Sequence, residues 1–337
     1  MKRAIISGER RTAVVDAPEP GPVDDWVKVK VHAAPMCTEH KGFTEGHENE
    51  FLGHEAAGEV VDVADSAQFD VGDRVVAMPL YSTRDSPLSR RGDYIYADKI
   101  DVSEKLGSEE GSATYAQYLL KPDWLLAEIP AGVSYEHGSM ACCGLGPTLG
   151  ALDRMDTNGF HTVLVNGLGP VGLGGVINAM YRGARVIAVE PTDYRTELAL
   201  ELGADEVIDP IEEDVVDRVM ELTDGVGVDR AIDCTGIEQA QRAMIDSVRT
   251  RGEAAFIADA GEVDLDVASD MIYRGLTLHG SWHYNESLVP DMMRMIPNVS
   301  DQIDVLVTHE FSLDDVQEAF ELQETRECGK VLLKPWE

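Results

Sequence analysis

The sequence predicts an α/β protein of two parts: a β-rich domain over 1–145, completed by 287–337, and a doubly wound parallel sheet over 146–286. Three observations lead there. The first ~145 residues break into short strand-like runs separated by turn residues, with few helical stretches. From about residue 148 apolar strand-like runs alternate with helical ones. A chain of 337 residues is also long enough to bury two separate cores.

Strand-like runs fall at 4–7, 13–18, 26–35, 57–65, 73–79, 115–121 and 125–130, with Pro20-Gly21-Pro22 and Gly72-Asp73 among the turns between them. They suggest an irregular β-barrel. The second part opens with a buried-type strand at 162–166, a glycine turn and a helix to about 182. A strand at 185–189, a helix at 194–202 ended by Gly203, a strand at 206–208 and a helix at 214–222 follow. A strand at 229–233, a helix at 237–248 and strands at 254–258 and 276–280 complete six parallel strands with helical crossovers. In the tail, Ser312 to Asp315 resembles a capping box before a helix at 316–322. A last strand at 330–334 is expected to pack on the first domain.

Composition narrows the partners. Acidic residues number 62 against 28 basic ones, a net charge of −34, and the basic residues divide into 9 Lys and 19 Arg. Such a surface repels phosphate backbones and anionic lipids, which argues against nucleic acid and membranes as partners. No run of about 18 uncharged apolar residues occurs, and the start MKRAIISGERRTAVV lacks the apolar stretch of a signal peptide. Salt screens self-repulsion on this scale, which points to a high-salt cytoplasm. The five cysteines, Cys37, Cys142, Cys143, Cys234 and Cys328, show no disulfide-like pattern and read as cytosolic free thiols available to a metal.

Gly167-Leu168-Gly169-Pro170-Val171-Gly172 follows the strand at 162–166 and opens a helix. Gly167 allows the tight turn, Gly169 lets the backbone approach a pyrophosphate, and Gly172 allows close helix–sheet packing. The helix N-terminus supplies N–H groups for the phosphates. Glu190 ends the next strand, 18 residues past Gly172. A carboxylate there accepts bonds from ribose hydroxyls and repels a 2′-phosphate, which favours NAD over NADP. Arg195 either touches the adenosine ribose or covers the helix surface.

Further signals join the glycine loop: Met36-Cys37, the run Gly53-His54-Glu55-Ala56-Ala57-Gly58-Glu59-Val60, VGDRV at 71–75, and Cys143 ahead of Gly144-Leu145-Gly146-Pro147-Thr148. With them the chain resembles, over essentially its whole length, the medium-chain dehydrogenase/reductase family in its zinc-dependent alcohol and polyol dehydrogenase branch. The resemblance implies a GroES-like catalytic domain and a Rossmann nucleotide-binding domain. It implies Cys37, His54 and Cys143 as the protein ligands of a catalytic zinc with an open fourth position, and Glu55 as a carboxylate beside the metal. The implied reaction is hydride transfer from a secondary alcohol, polyol or sugar hydroxyl to NAD, with Lewis-acid help from the metal. Cys142 competes with Cys143; the family's spacing to Ala151-Leu152 favours Cys143. A homodimer or homotetramer is a common assembly in the family.

The chain departs from that family in two places. The usual Ser or Thr two residues after the first ligand, and the acid after it, are Glu39 and His40 in the run Cys37-Thr38-Glu39-His40. Glu39 is expected to take the substrate proton or to approach the metal as a further ligand, with Thr38 as the alternative relay hydroxyl. The structural-zinc spacing C-x2-C-x2-C-x7-C falls on Thr83, Ser86, Ser89 and Ala97, which do not hold zinc. One catalytic ion per subunit and no structural zinc is therefore expected. Two other readings stand beside the leading one. A zinc-independent NAD(P)H quinone or enone reductase of the same superfamily is opposed by the complete ligand trio and by Glu190. A catalytically silent binding or structural protein is opposed by the intact metal and cofactor motifs.

Overall fold

Period-two burial organises the first part of the chain: in the run Trp26–Pro35, Val27, Val29 and Val31 all point into one core. A computed structural model describes every residue except Ala67 and Ala260. In chain order its strands are β1 Lys2–Gly8, β2 Arg11–Asp16, β3 Trp26–Pro35, β4 Ala56–Val63, β5 Arg74–Ala77, β6 Tyr118–Pro122, β7 Leu126–Glu128, β8 Thr162–Asn166, β9 Arg185–Val189, β10 Glu206–Ile208, β11 Val228–Asp233, β12 Val248–Phe256, β13 Thr277–Gly280, β14 Val307–Ser312 and β15 Lys330–Lys334. The α-helices are α1 Glu39–Glu45, α2 Val102–Leu106, α3 Tyr135–Ser139, α4 Gly146–Arg154, α5 Pro170–Tyr181, α6 Asp193–Glu201, α7 Val215–Leu222, α8 Glu238–Ser247, α9 Val289–Met295, α10 Ser300–Leu306 and α11 Val316–Thr325.

The chain divides into two units, Met1–Gly144 with Asn285–Glu337, and Leu145–Tyr284. In the first, β1 and β2 form an antiparallel pair, and a seven-stranded sheet runs β14-β15-β3-β4-β5-β7 with β6 also on β3. Among the described residues of this unit, only β14 and β15 pair in parallel. β15 joins the end of β3 through Leu332↔Pro35 and Leu333↔Ala34. The C-terminal strand thus borders the segment that leads into Cys37. α1 follows at once, an unforeseen helix whose one buried residue is Phe43. The Ser312 hydroxyl donates to the Asp315 carboxylate at 2.6 Å instead of capping a backbone amide, so the expected capping box is not formed.

In the second unit all six strands are parallel, in the order β10-β9-β8-β11-β12-β13. Within the unit this is the 3-2-1-4-5-6 order of a doubly wound nucleotide-binding fold. Its core packs Leu164, Ile187, Val189, Ile208 and Ala231 of the sheet against Val219, Met244 and Ile245 of the helices. β12 starts at Val248, earlier than the sequence suggests, because Val248 pairs with Val228 although Arg251 and Thr250 between it and the core are exposed.

Candidate metal and cofactor sites

The segment after β3 is held by β15, where the Met36 N–H donates to the Val331 carbonyl at 2.8 Å. His54 and Glu55 enter β4, and Cys143 lies beyond α3. One donor atom each from Cys37, His54, Glu55 and Cys143 falls within 4.8 Å of all the others. Cys143 Sγ and His54 Nε2 are 3.4 Å apart. Tetrahedral zinc with bonds of about 2.1–2.3 Å spaces its ligands by roughly 3.4–3.8 Å, so the two thiols and the imidazole fit that ion. Cys142 is turned away: it is fully buried and its thiol donates to the Ala77 carbonyl at 3.3 Å.

Glu39 does not join this donor group. Its Oε1 lies 2.7 Å from His54 Nδ1, and its Oε2 accepts from the Tyr115 hydroxyl at 2.9 Å and the Cys37 amide at 3.2 Å. Burial raises its pKa, but His54 outweighs this and holds the carboxyl down at about 2. The geometry therefore opposes both expectations for Glu39, as proton acceptor and as extra ligand. Burial lowers His54, yet Glu39 and the Cys37 thiolate carry it well above the ordinary imidazole range. The Cys143 thiol donates to Cys37, which lowers the Cys37 pKa well below the thiol range and raises that of Cys143. Thr38 is exposed at the start of α1, where its hydroxyl makes no cap bond.

Glu55 is fully buried. Its Oε2 accepts the Cys143 amide at 2.9 Å and its Oε1 meets the ammonium of Lys330, also fully buried, at 2.8 Å. Burial pushes Glu55 up to about 7 against the pull of Lys330, and Glu55 in turn raises Lys330 despite its own burial. Lys330 and Tyr115 were not foreseen from sequence, since their partners lie far along the chain.

Of the four positions of the lost quartet, Thr83, Ser86 and Ser89 are joined by hydrogen bonds, and Ala97 offers no side-chain donor or acceptor. Ser89 Oγ donates to the Thr83 carbonyl at 2.6 Å, Ser86 Oγ to Ser89 Oγ at 3.2 Å, and Ser86 Oγ accepts the Ser89 amide at 3.0 Å. The Lys99 ammonium crosses the same lobe, donating to Ser82 Oγ at 3.1 Å and to the carbonyls of Tyr94 at 3.4 Å and Ile95 at 2.6 Å.

In the second unit Gly167 has φ +89° and ends β8 in the tight turn. A Cβ on Gly172 would collide with the Gly167 carbonyl, whereas one on Gly169 would meet nothing within 4 Å. Gly169 is the N-cap of α5, Pro170 and Val171 form its first turn, and Leu173 N–H donates to Gly169 O at 2.9 Å. Glu190 is buried, its two oxygens accepting the amides of Leu168 at 2.9 Å and Thr192 at 3.1 Å. Each oxygen keeps a lone pair for a hydroxyl donor. Arg195 is half-buried on α6. No helix among the described residues is long and apolar enough to cross a membrane.

Comparison with known proteins bears on the same features. Residues 23–131 match the alcohol dehydrogenase GroES-like domain, and residues 170–298 match the zinc-binding dehydrogenase domain. The chain is 31% identical to L-threonine 3-dehydrogenase of Pyrococcus horikoshii, over 94% of this chain and 93% of that protein. It is 29% identical to sorbitol dehydrogenase of Halalkalibacterium halodurans, over 99% of each. Among solved structures it is similar to 2R,3R-butanediol dehydrogenase of Bacillus subtilis, with TM-score 0.84, 26% identity and 99% of both chains covered. It shares the fold of an alcohol dehydrogenase from Thermus sp. ATN1, with TM-score 0.90, 24% identity and 99% of both chains covered. The chain belongs to the zinc-dependent medium-chain dehydrogenase/reductase family and is an oxidoreductase of its alcohol and polyol dehydrogenase branch.

Proposed function

We propose that this protein oxidises a secondary hydroxyl flanked by a second polar group, in a polyol, sugar or amino alcohol, and passes the hydride to NAD. The donor cluster of Cys37, His54 and Cys143 carries the proposal, because two thiols and an imidazole in mutual reach form the donor set of a catalytic zinc with an open position. Threonine, sorbitol and butanediol, named in the relatives, all carry a secondary hydroxyl beside a carbon bearing nitrogen or oxygen.

Zinc held there supplies a Lewis acid for the substrate hydroxyl, and bound NAD supplies the hydride acceptor. The chain's own residues orient these groups. Glu39 takes the Nδ1–H of His54 and so directs Nε2 toward the metal position. Glu55 fixes the Cys143 backbone, and Lys330 balances its charge. The exposed Thr38 hydroxyl is the remaining candidate for passing the proton to water. Gly167, Gly169, Pro170, Val171 and Gly172 cradle the pyrophosphate, Glu190 binds the adenosine ribose, and Arg195 lies on the helix beyond it.

One zinc per chain suffices in this reading, because Lys99 and the serines hold the lobe that a second metal would organise. The outer edge of β13, with Val267, Ile272 and Tyr273 exposed just before it, favours a homo-oligomer. The charge of −34 favours a high-salt cytoplasm as the working environment.

The test is an NAD-reduction screen over simple secondary alcohols, polyols, aldoses and amino alcohols, in low and molar salt, with NADP in parallel. The expected result is turnover of vicinal diols or amino alcohols, abolished by a chelator and at least tenfold poorer with NADP. Turnover confined to enones or quinones with NADPH would overturn the proposal.

A further inference from the structure

We infer that Tyr115 is a positioning residue for the metal ligands, its one hydroxyl tying the Cys37 backbone to the carboxylate that orients His54. The inference rests on the reading that Cys37, His54 and Cys143 hold zinc. Tyr115 Oη donates to Glu39 Oε2 at 2.9 Å and accepts the Cys37 N–H at 3.3 Å. The other Glu39 oxygen holds His54 Nδ1 at 2.7 Å. Two ligand positions, 37 and 54, therefore meet at one phenol.

The rest of Tyr115 reinforces the same point. Its amide and that of Thr114 donate to the Leu52 carbonyl at 3.0 and 2.9 Å, fastening the segment that carries His54 toward β4. A Cβ on Gly53 would collide with the Tyr115 ring, so the residue before His54 must be glycine for the phenol to reach its place. Gly53 also has φ +87°, a conformation that disfavours any side chain. Behind the ring, Phe320 lies 6.3 Å away and stacks on Phe43 of α1, the helix that begins with Glu39. Tyr115 is fully buried, so water does not replace a lost hydroxyl at Glu39 without rearrangement.

Removing a hydrogen-bonding partner behind a metal ligand typically costs ~10–100-fold in metal affinity. The decisive variant is Tyr115→Phe, which deletes only the hydroxyl. Three readouts are needed: the zinc dissociation constant by competition with a chromophoric chelator, the visible absorption of the cobalt-substituted protein, and the melting temperature. We expect zinc to bind at least tenfold more weakly and the cobalt bands to shift, with melting little changed. Phe320→Leu, which loosens the packing behind the ring and spares the hydroxyl, should lower melting and leave both metal readouts in place. Adding Tyr115→Phe to Glu39→Gln should weaken zinc by less than the product of the two single effects, because the phenol reaches His54 through Glu39 and only its bond from the Cys37 amide is separate; fully independent effects would overturn the inference. Unchanged zinc affinity and cobalt spectrum in Tyr115→Phe would overturn the inference, as would an equal metal effect in Phe320→Leu. Wild-type protein that takes up no zinc would instead overturn the underlying reading, and this inference with it.

Discussion

Glu55 and Lys330, both fully buried and 2.8 Å apart, show how the candidate site depends on charges removed from water. Taking one partner away leaves the other without compensation, which typically costs about 3–5 kcal/mol. Lys330→Met should lower stability by that order, and adding Glu55→Gln should restore much of it; a loss under about 1 kcal/mol in chemical denaturation would contradict the pairing. Lys121 is a different case. Its ammonium is buried, donates to the Leu80 carbonyl at 2.5 Å and lies 3.9 Å over the Tyr81 ring, with no carboxylate partner among the described residues. Burial lowers its pKa to about 7. Between that value and the unfolded value of about 10.4 the unfolded chain binds more protons, so this group makes stability rise with pH across the window. The stability difference between wild type and Lys121→Met should therefore shift in favour of wild type from pH 7 to pH 9.5, and a pH-independent difference would refute it. At this scale Cys37, His54, Glu55 and Cys143 are singled out by the family resemblance that their surrounding runs carry, and the fold brings their donor atoms within 4.8 Å of one another. Tyr115 and Lys330 stay hidden because their partners lie 78 and 275 positions away, and nothing local encodes such contacts.

Whole elements follow the same division between local and distant causes. β8, β9 and β10 have the bounds that the sequence predicts: the interior strands β8 and β9 are buried on both faces and read as near-continuous apolar segments, while β10 is a short edge strand with only Ile208 buried. α1 was missed because seven residues with one buried side chain carry no helical period. β14 was missed because it reads Val-Thr-His-Glu-Phe-Ser and owes its strand form to pairing with β15. The glycine loop offers an element-scale prediction. Gly169→Ala adds a methyl where there is open space and should fold normally while weakening NAD binding at least tenfold. Gly172→Ala drives the methyl into the Gly167 carbonyl and should lower the melting temperature as well. Melting curves with NAD titrations separate the two, and equal stability of both variants would contradict the helix–turn packing described.

For the whole molecule, the dominant physical fact is the net charge of −34. Apart from Lys41, each of the scarce lysines is tied to a carboxylate, a carbonyl or an aromatic ring. Lysine thus persists mainly where the fold uses it, and the acidic excess is left to solvent and counterions. Raising KCl from about 0.1 to about 2 M should raise the melting temperature by screening self-repulsion. A melting temperature that stays level or falls would remove the argument for a high-salt environment. A dehydrogenase built on one zinc held by Cys37, His54 and Cys143 shows itself in metal analysis of exhaustively desalted protein alongside Cys37→Ser and Cys143→Ser. Close to one zinc per wild-type chain is expected, with its loss together with NAD reduction in either variant. Wild-type protein near zero or near two zinc ions, or variants that keep their zinc, would contradict this assignment.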